Sequence, residues 1–255
     1  MLKFKSQQEI EVLREGGKLL AGILKRTADL VRPGISTAEL NRYAEGEIAK
    51  INGRPAFKNY KIPGLFPYPA GLCTSLNNVI VHGIPSDKVI LKEGDIISLD
   101  IGMEYKKLYT DMSMTVAVGK VPAEVEKLIK VTKESLYLGI DAMKVGGTLA
   151  DIGSAVQKHA EKHGYGVVRD LVGHGVGYDV HEAPQVPNYF TVSAQRVKLE
   201  PGLVIAIEPM LTMGDYETVT LADGWAIATR DNSLSAHWEH TVAVTEDGII
   251  IITEE

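Results

Sequence analysis

One pattern occurs twice along this chain of 255 residues: two capped helices, a segment ending in Val-His-x-x-Pro, and an acidic strand pair. The first copy spans about residues 6–119 and the second about 122–250 of what is expected to be a single domain, 1–255. Gly34-x-x-x-Ala38-Glu39-Leu40 returns as Gly146-x-x-x-Ala150-Asp151-Ile152, and Val81-His82-x-x-Pro85 returns as Val180-His181-x-x-Pro184. The stretch from Glu93 to Asp100 matches Pro201 to Glu208, and Thr115-Val-Ala-Val118 matches Thr241-Val-Ala-Val244. Self-similarity of this length constrains the whole fold. It predicts two α+β halves related by a pseudo-twofold axis, with their antiparallel strands forming one curved sheet and their helices on its outer face. Equivalent residues then converge, so that Asp100 faces Glu208 and His82 faces His181. The segment Ala236-His237-Trp238-Glu239-His240 falls near Asp111 with a two-residue offset, which is expected to be a bulge.

The local signals agree with this plan. Ser6-Gln-Gln-Glu9 and Ser36-Thr-Ala-Glu39 are capping boxes, predicting helices that run to about Leu30 and about Asn52. In the second copy Pro122 is expected at a first helical position, with the helix running to about Met143, and Thr148-Leu-Ala-Asp151 caps another that runs to His163. Pro55 to Leu72 reads as an irregular loop whose Phe57, Tyr60, Phe66 and Tyr68 are mainly packing residues or pocket lining. Ile96 to Leu99 reads as a strand, Gly102 as the start of a turn, and Leu108 to Val118 as the returning strand. Asp100 and Asp111 are thereby carried into an apolar hairpin that contains no Lys or Arg between the two acids except at its predicted turn. Taken alone, the pair is read equally well as a turn cap and a solvent-facing acid.

The repeat changes that balance. It brings Asp100, Asp111, Glu208 and Glu239 to one cavity, with up to four negative charges on apolar strands. Ionised carboxylates that close together need protons or cations to compensate them, and four around two divalent cations form a neutral hydrolytic arrangement. Gly173-His174-Gly175-Val176-Gly177 offers the complementary imidazole, with glycines that permit close backbone approach. A lone histidine is most often a packing residue, and His159, His163 and His240 keep that reading.

These residues carry a resemblance to the type I methionine aminopeptidases of the short bacterial kind, peptidase family M24, which have the pita-bread fold. The ordered series Asp100, Asp111, His174, Glu208, Glu239 carries it, with Gly173-His-Gly-Val-Gly177-x-x-x-His181-Glu-x-Pro-Gln, Ile207-Glu208-Pro209 and Ser233-x-Ser235-Ala236-x-x-Glu239-His240-Thr241. The resemblance implies a dinuclear site in which Asp111 and Glu239 bridge the ions, Asp100 chelates one, and His174 and Glu208 complete the other. A bridging hydroxide is then the nucleophile. Glu208 handles the proton, His181 stabilises the oxyanion, and His82 lies near the scissile nitrogen. Tyr68, Cys73 and Trp225 match positions that hold the methionine side chain. Ile62, Leu65 and Val180 depart from the cysteines or aromatics common there. The metals expected are two divalent ions among cobalt, manganese, iron, nickel and zinc, since this ligand set does not choose between them.

The implied substrate is a nascent or other N-terminal methionyl peptide with a small second residue. Under that rule Met1, which precedes Leu2, is retained. Transient ribosome contact belongs to the same expectation, although no basic extension supports it. A net charge of −6 argues against a general DNA grip, and no apolar run of 18 uncharged residues predicts a membrane span. The expected setting is a cytoplasmic monomer; the single cysteine, Cys73, suits a reducing compartment. Two rival readings are an X-Pro-cleaving relative of the prolidase or aminopeptidase P type, which carries a further N-terminal domain, and a catalytically inactive pita-bread binding module. A type II methionine aminopeptidase would need an insertion for which the 26 residues between His181 and Glu208 leave no room.

Overall fold

The computed structural model describes residues 2–254, so Met1 and the expectation that it is retained lie outside the described residues. The first copy contributes α1 (Gln7–Ala28), α2 (Thr37–Lys50), β1 (Arg54–Pro55), β2 (Leu72–Leu76), β3 (Val79–Val81), β4 (Ile96–Tyr105) and β5 (Leu108–Ala117). The second begins with α3 (Ala123–Asp141), α4 (Leu149–Lys162), β6 (Gly166–Val167), β7 (Gly173–Gly175) and β8 (Glu182–Val186). It continues with β9 (Val204–Ile207), β10 (Met210–Thr212), β11 (Thr218–Thr220) and β12 (Ile227–Thr229), then β13 (Ser235–His237), β14 (Glu239–Thr245) and β15 (Gly248–Ile251).

The capping boxes at Ser6, Ser36 and Thr148 all form, which satisfies orphan amides at three helix starts. Pro122 is the N-cap of α3 rather than its first helical residue. Apolar stripes set the packing. Leu20, Leu24, Leu40 and Ile48 from α1 and α2 meet Ile97, Leu99 and Ile101 of β4. On the other side, Leu136, Ile140, Ile152 and Val156 from α3 and α4 meet Ile205, Ile207 and Val242. Because strand side chains alternate, covering these residues with helices turns Ser98, Asp100, Ala206 and Glu208 to the inner face.

The main sheet has the order β1-β4-β5-β14-β9-β7-β8 and is antiparallel throughout, with β2 also on β4 and β15 on β14. Ser98↔Thr115, Ile97↔Val116 and Ile96↔Ala117 in the first half correspond to Ala206↔Thr241, Ile205↔Val242 and Val204↔Ala243 in the second. Ser113 and Glu239, which are equivalent in the repeat, pair with each other. The local twofold therefore passes between them.

Two further details differ from the sequence reading. β4 does not turn at Gly102 but continues to Tyr105, and the reversal is Lys106-Lys107, both in the left-handed region at φ 50° and 70°. Gly102 is needed for close approach instead, since a Cβ there would press on Phe57 and Ala56. The offset after Ala236 is also not a bulge within one strand. The chain breaks at Trp238, so β13 pairs with β10 in a separate sheet while β14 rejoins the main one.

Candidate metal and active centre

A cavity of about 280 Å³ opens on the inner face and is lined by Asp100, Asp111, His174, Glu208 and Glu239 together with His82 and His181. All seven polar residues expected from the sequence are thus brought together. Asp100 lies mid-strand opposite both Cys73 and Ser113, and Ser113 also faces Glu239, which sets these acids in one row across three strands. Asp100, Asp111 and Glu239 form one cluster whose candidate ligand atoms lie within 4.8 Å of one another; His174, Glu208 and Glu239 form a second. His174 Nε2 is 3.5 Å from Glu208 Oε1 and 4.0 Å from Asp111 Oδ2.

Backbone anchors hold the groups in place. Thr241 Oγ1 accepts from the Asp111 amide (2.9 Å) and donates to the Asp111 carbonyl (2.8 Å). Asn188, fully buried, donates from Nδ2 to the Glu208 carbonyl at 2.9 Å. His174 Nδ1 lies 2.9 Å from the Gly175 carbonyl; assigning the proton there leaves the Nε2 lone pair towards the acids. His82 sits at φ 60°, an unusual conformation for a non-glycine residue and one that clusters at functional sites.

The electrostatics call for a cation. Burial first, and then the neighbouring acids, raise Asp100, Glu208 and Glu239 well above the usual carboxylate range; burial takes Asp111 up to about 7. Burial, with some repulsion from His181, lowers His174 to about 3 and His82 to about 4, and burial alone lowers His181 to about 4. Asp100 Oδ1 and Glu239 Oε1 are buried without a hydrogen-bond partner. The ion-pair contacts of the four acids among the described residues are to histidines, which that burial keeps neutral at pH 7. Orphaned oxygens, converging carboxylates and an imidazole with a free lone pair fit divalent metal.

The apolar wall is only partly as expected. Tyr68 and Cys73 line the cavity, the tyrosine hydroxyl donating to the Gly83 carbonyl at 2.9 Å and burial pushing the thiol well up, so it stays neutral. Trp225 is not among the lining residues. It is buried behind them, its ring edge-on to Tyr68 (5.2 Å between centroids) and to His82 (6.3 Å), its Nε1 donating to the Phe66 carbonyl. Ile62 lines the mouth, whereas Val180 and Leu65 pack behind with Trp225. Of the loop aromatics, Phe57 and Tyr60 line the cavity and Phe66 is half exposed.

One residue escaped the sequence reading. His237 is almost fully buried, with Nε2 3.6 Å from Glu208 Oε2 and neither ring nitrogen hydrogen-bonded. The signal for it was the repeat itself, because His237 stands where the first half has Asp111. Gly102↔Asp111 in one hairpin corresponds to Met210↔His237 in the other. Thr115 holds the His237 amide and carbonyl, both at 2.8 Å, as Thr241 holds those of Asp111. The other histidines keep packing roles: His159 bonds Glu134 (3.2 Å), His163 caps α4, and His240 lies between Tyr137 (3.1 Å) and Thr253 (2.9 Å).

Residues 11–246 match the profile of metallopeptidase family M24. A methionine aminopeptidase of Clostridium perfringens is 45% identical over 253 residues, covering 99% of each chain. The crystal structure of the methionine aminopeptidase of Rickettsia prowazekii superposes with a TM-score of 0.94 at 40% identity, over the full length of both chains. A prolidase of Pyrococcus furiosus shares the fold at a TM-score of 0.76, with 23% identity and 65% of that chain covered.

Proposed function

Because the chain belongs to metallopeptidase family M24, we propose that the cavity is the active site of a methionine aminopeptidase that removes the initiator methionine from chains whose second residue is small. The observation that carries this reading is the convergence of Asp100, Asp111, His174, Glu208 and Glu239, drawn from both halves, on one buried cavity beside His82 and His181. The whole chain acts as one catalytic domain made of the two copies.

Asp100, Asp111, His174, Glu208 and Glu239 would hold two divalent ions, as their two clusters of converging ligand atoms allow. When bound, they neutralise the carboxylates and supply a water acidified enough to act as a nucleophile at neutral pH. The protein's own groups do the rest. Glu208, the acid nearest both His174 and His237, takes the proton from the attacking water and passes it to the departing amide nitrogen. His181, kept neutral by burial, donates to the oxygen on which charge develops. His82, held at its fixed backbone angle, binds near the scissile nitrogen. Tyr68 and Cys73 enclose the methionine side chain, and a neutral thiol beside an aromatic ring suits a thioether. A free substrate amine would have a lone pair to set against the bound metal, an anchor that an internal peptide bond lacks.

The substrate is a nascent or newly made methionyl chain met in the cytoplasm by a monomer, with at most transient ribosome contact. No helix among the described residues is long and apolar enough to cross a membrane. The test is release of free methionine from Met-Gly-Ser-Met and from Met-Leu-Ser-Met by metal-stripped protein, before and after adding cobalt, manganese or iron, with an X-Pro peptide alongside. Metal-restored release from the first peptide alone is expected. X-Pro cleavage, or release that ignores the second residue, would contradict the proposal.

A further inference from the structure

The segment before α1 crosses the back of the loop that carries His181. The Lys5 amide donates to the Gly202 carbonyl at 2.7 Å, and its side chain then runs inward over Gly177, where a Cβ would collide with Lys5 Cε. Lys5 Nζ donates to Glu182 Oε1 at 3.1 Å and to the Lys3 carbonyl at 3.2 Å, and it stands 4.9 Å above the Tyr178 ring. Both partners are buried, with side chains 1% and 2% exposed. The same Glu182 oxygen accepts from the Tyr178 amide (2.5 Å) and the Asp179 amide (3.3 Å), so one carboxylate gathers the turn from 178 to 182. His181 is the residue next to it, and on the cavity side its ring lies 4.4 Å from that of His174 and 5.0 Å from Tyr60.

A buried ion pair is a poor source of stability, because desolvation consumes most of its attraction. Its worth lies in what it fixes. Removing the ammonium leaves Glu182 buried with a charge and two loop amides to hold, its remaining cation being the half-exposed Lys3 Nζ at 3.9 Å from Oε2, and the turn must rearrange to hydrate it. We infer that Lys5 is a positioning residue for the reaction, which acts through Glu182 to set His181 against the substrate carbonyl. The inference rests on the aminopeptidase reading and on the role given there to His181. It ties a segment remote from the metal ligands to the step in which charge develops, where a displacement of an ångström is costly. By contrast, the neighbouring Lys3–Asp179 pair is exposed and contributes little.

The test is a double-mutant comparison on a Met-Gly-Ser-Met peptide with the manganese-loaded full chain. Lys5→Met is expected to lower kcat roughly 10- to 100-fold, with KM and metal affinity within about twofold. Glu182→Gln, which keeps the loop's acceptor but removes its charge, is expected to lower kcat in the same sense and serves if Lys5→Met folds poorly. In a His181→Ala background either change should alter kcat by less than about twofold, because the group they position is gone. An equal proportional loss in both backgrounds, or a loss confined to metal affinity, would make the pair a scaffold contact and overturn the inference. A His181→Ala chain as active as the wild type would overturn it too, and with it the role of His181, while leaving methionine release itself standing.

Discussion

The two halves of the molecule build the same hairpin and finish it differently. In the first, β4 and β5 pair without interruption for ten residues each, and Asp100 and Asp111 sit mid-strand. In the second, the chain leaves the sheet after Ile207 and again at Trp238, so Glu208 lies just beyond β9 and Glu239 begins β14. Pro209 cannot donate to a ladder, and its carbonyl receives the Trp238 amide at 3.3 Å. The break moves the second half's acid two residues along, from the place of His237 to Glu239. What remains symmetric is the support: a threonine from each half holds the backbone of the other half's residue. What differs is the group presented, an acid in one half and an imidazole in the other. A strict repeat would have placed an acid at both positions; the broken one puts a buried imidazole 3.6 Å from Glu208 instead.

The largest effect should come from removing the acids nearest the twofold. Asp111→Asn and Glu239→Gln should each lower kcat/KM at least ~10³-fold while the protein stays folded, read by peptide turnover and circular dichroism. If either variant kept most of its activity, the two halves would not share one centre. Next come the two threonines. Thr241→Val and Thr115→Val should each cost about 1–3 kcal/mol in urea unfolding, because each strands a buried amide. Only the first should also weaken metal binding, by roughly 10- to 100-fold, since it holds a ligand directly. Equal losses of metal affinity would mean that His237 is as much part of the centre as Asp111.

The pH dependence sharpens the same comparison. Asp111, raised to about 7 in the metal-free fold, is destabilised there by ionising, so the stability it permits is present at low pH and lost as pH rises through 7. Histidines lowered to about 3 or 4 act in the opposite sense, but only below their unfolded value near 6.5. Between pH 6.5 and 8 the acids act alone. Metal-free protein should therefore lose thermal stability over that window and metal-loaded protein should not, as read by melting curves with and without chelator. The smallest change expected is for His237→Gln, at most about tenfold in metal affinity, because its ring neighbours Glu208 without bonding it.

Much of this was legible in the sequence. The repeat fixed the ladder register, the outer helices and the meeting of Asp100, Asp111, Glu208 and Glu239, since a period-two strand leaves each acid only one face once its neighbours are covered. The repeat also set His82 against His181, the glycines around His174 marked its imidazole, and the family resemblance added the roles of all three. The turn was misread because Lys106 and Lys107 are not residues that announce positive φ, whereas Gly102, which looks like a turn signal, is a close-approach position within a strand. No local motif marks His237: a lone histidine on an apolar strand has the look of a packing residue, and only its repeat position, equivalent to Asp111, sets it apart. The placement of Trp225 behind the wall, and the path of Lys5 to Glu182, depend on packing between segments far apart in the chain, which no local pattern encodes.

The most direct test of the account is metal stoichiometry measured together with turnover on one sample, as manganese is titrated into chelator-treated protein. We expect methionine release to rise with bound metal, binding to approach two ions per chain, and both to collapse in Asp111→Asn. Full release by protein from which metal has been removed, or undiminished binding by that variant, would contradict it.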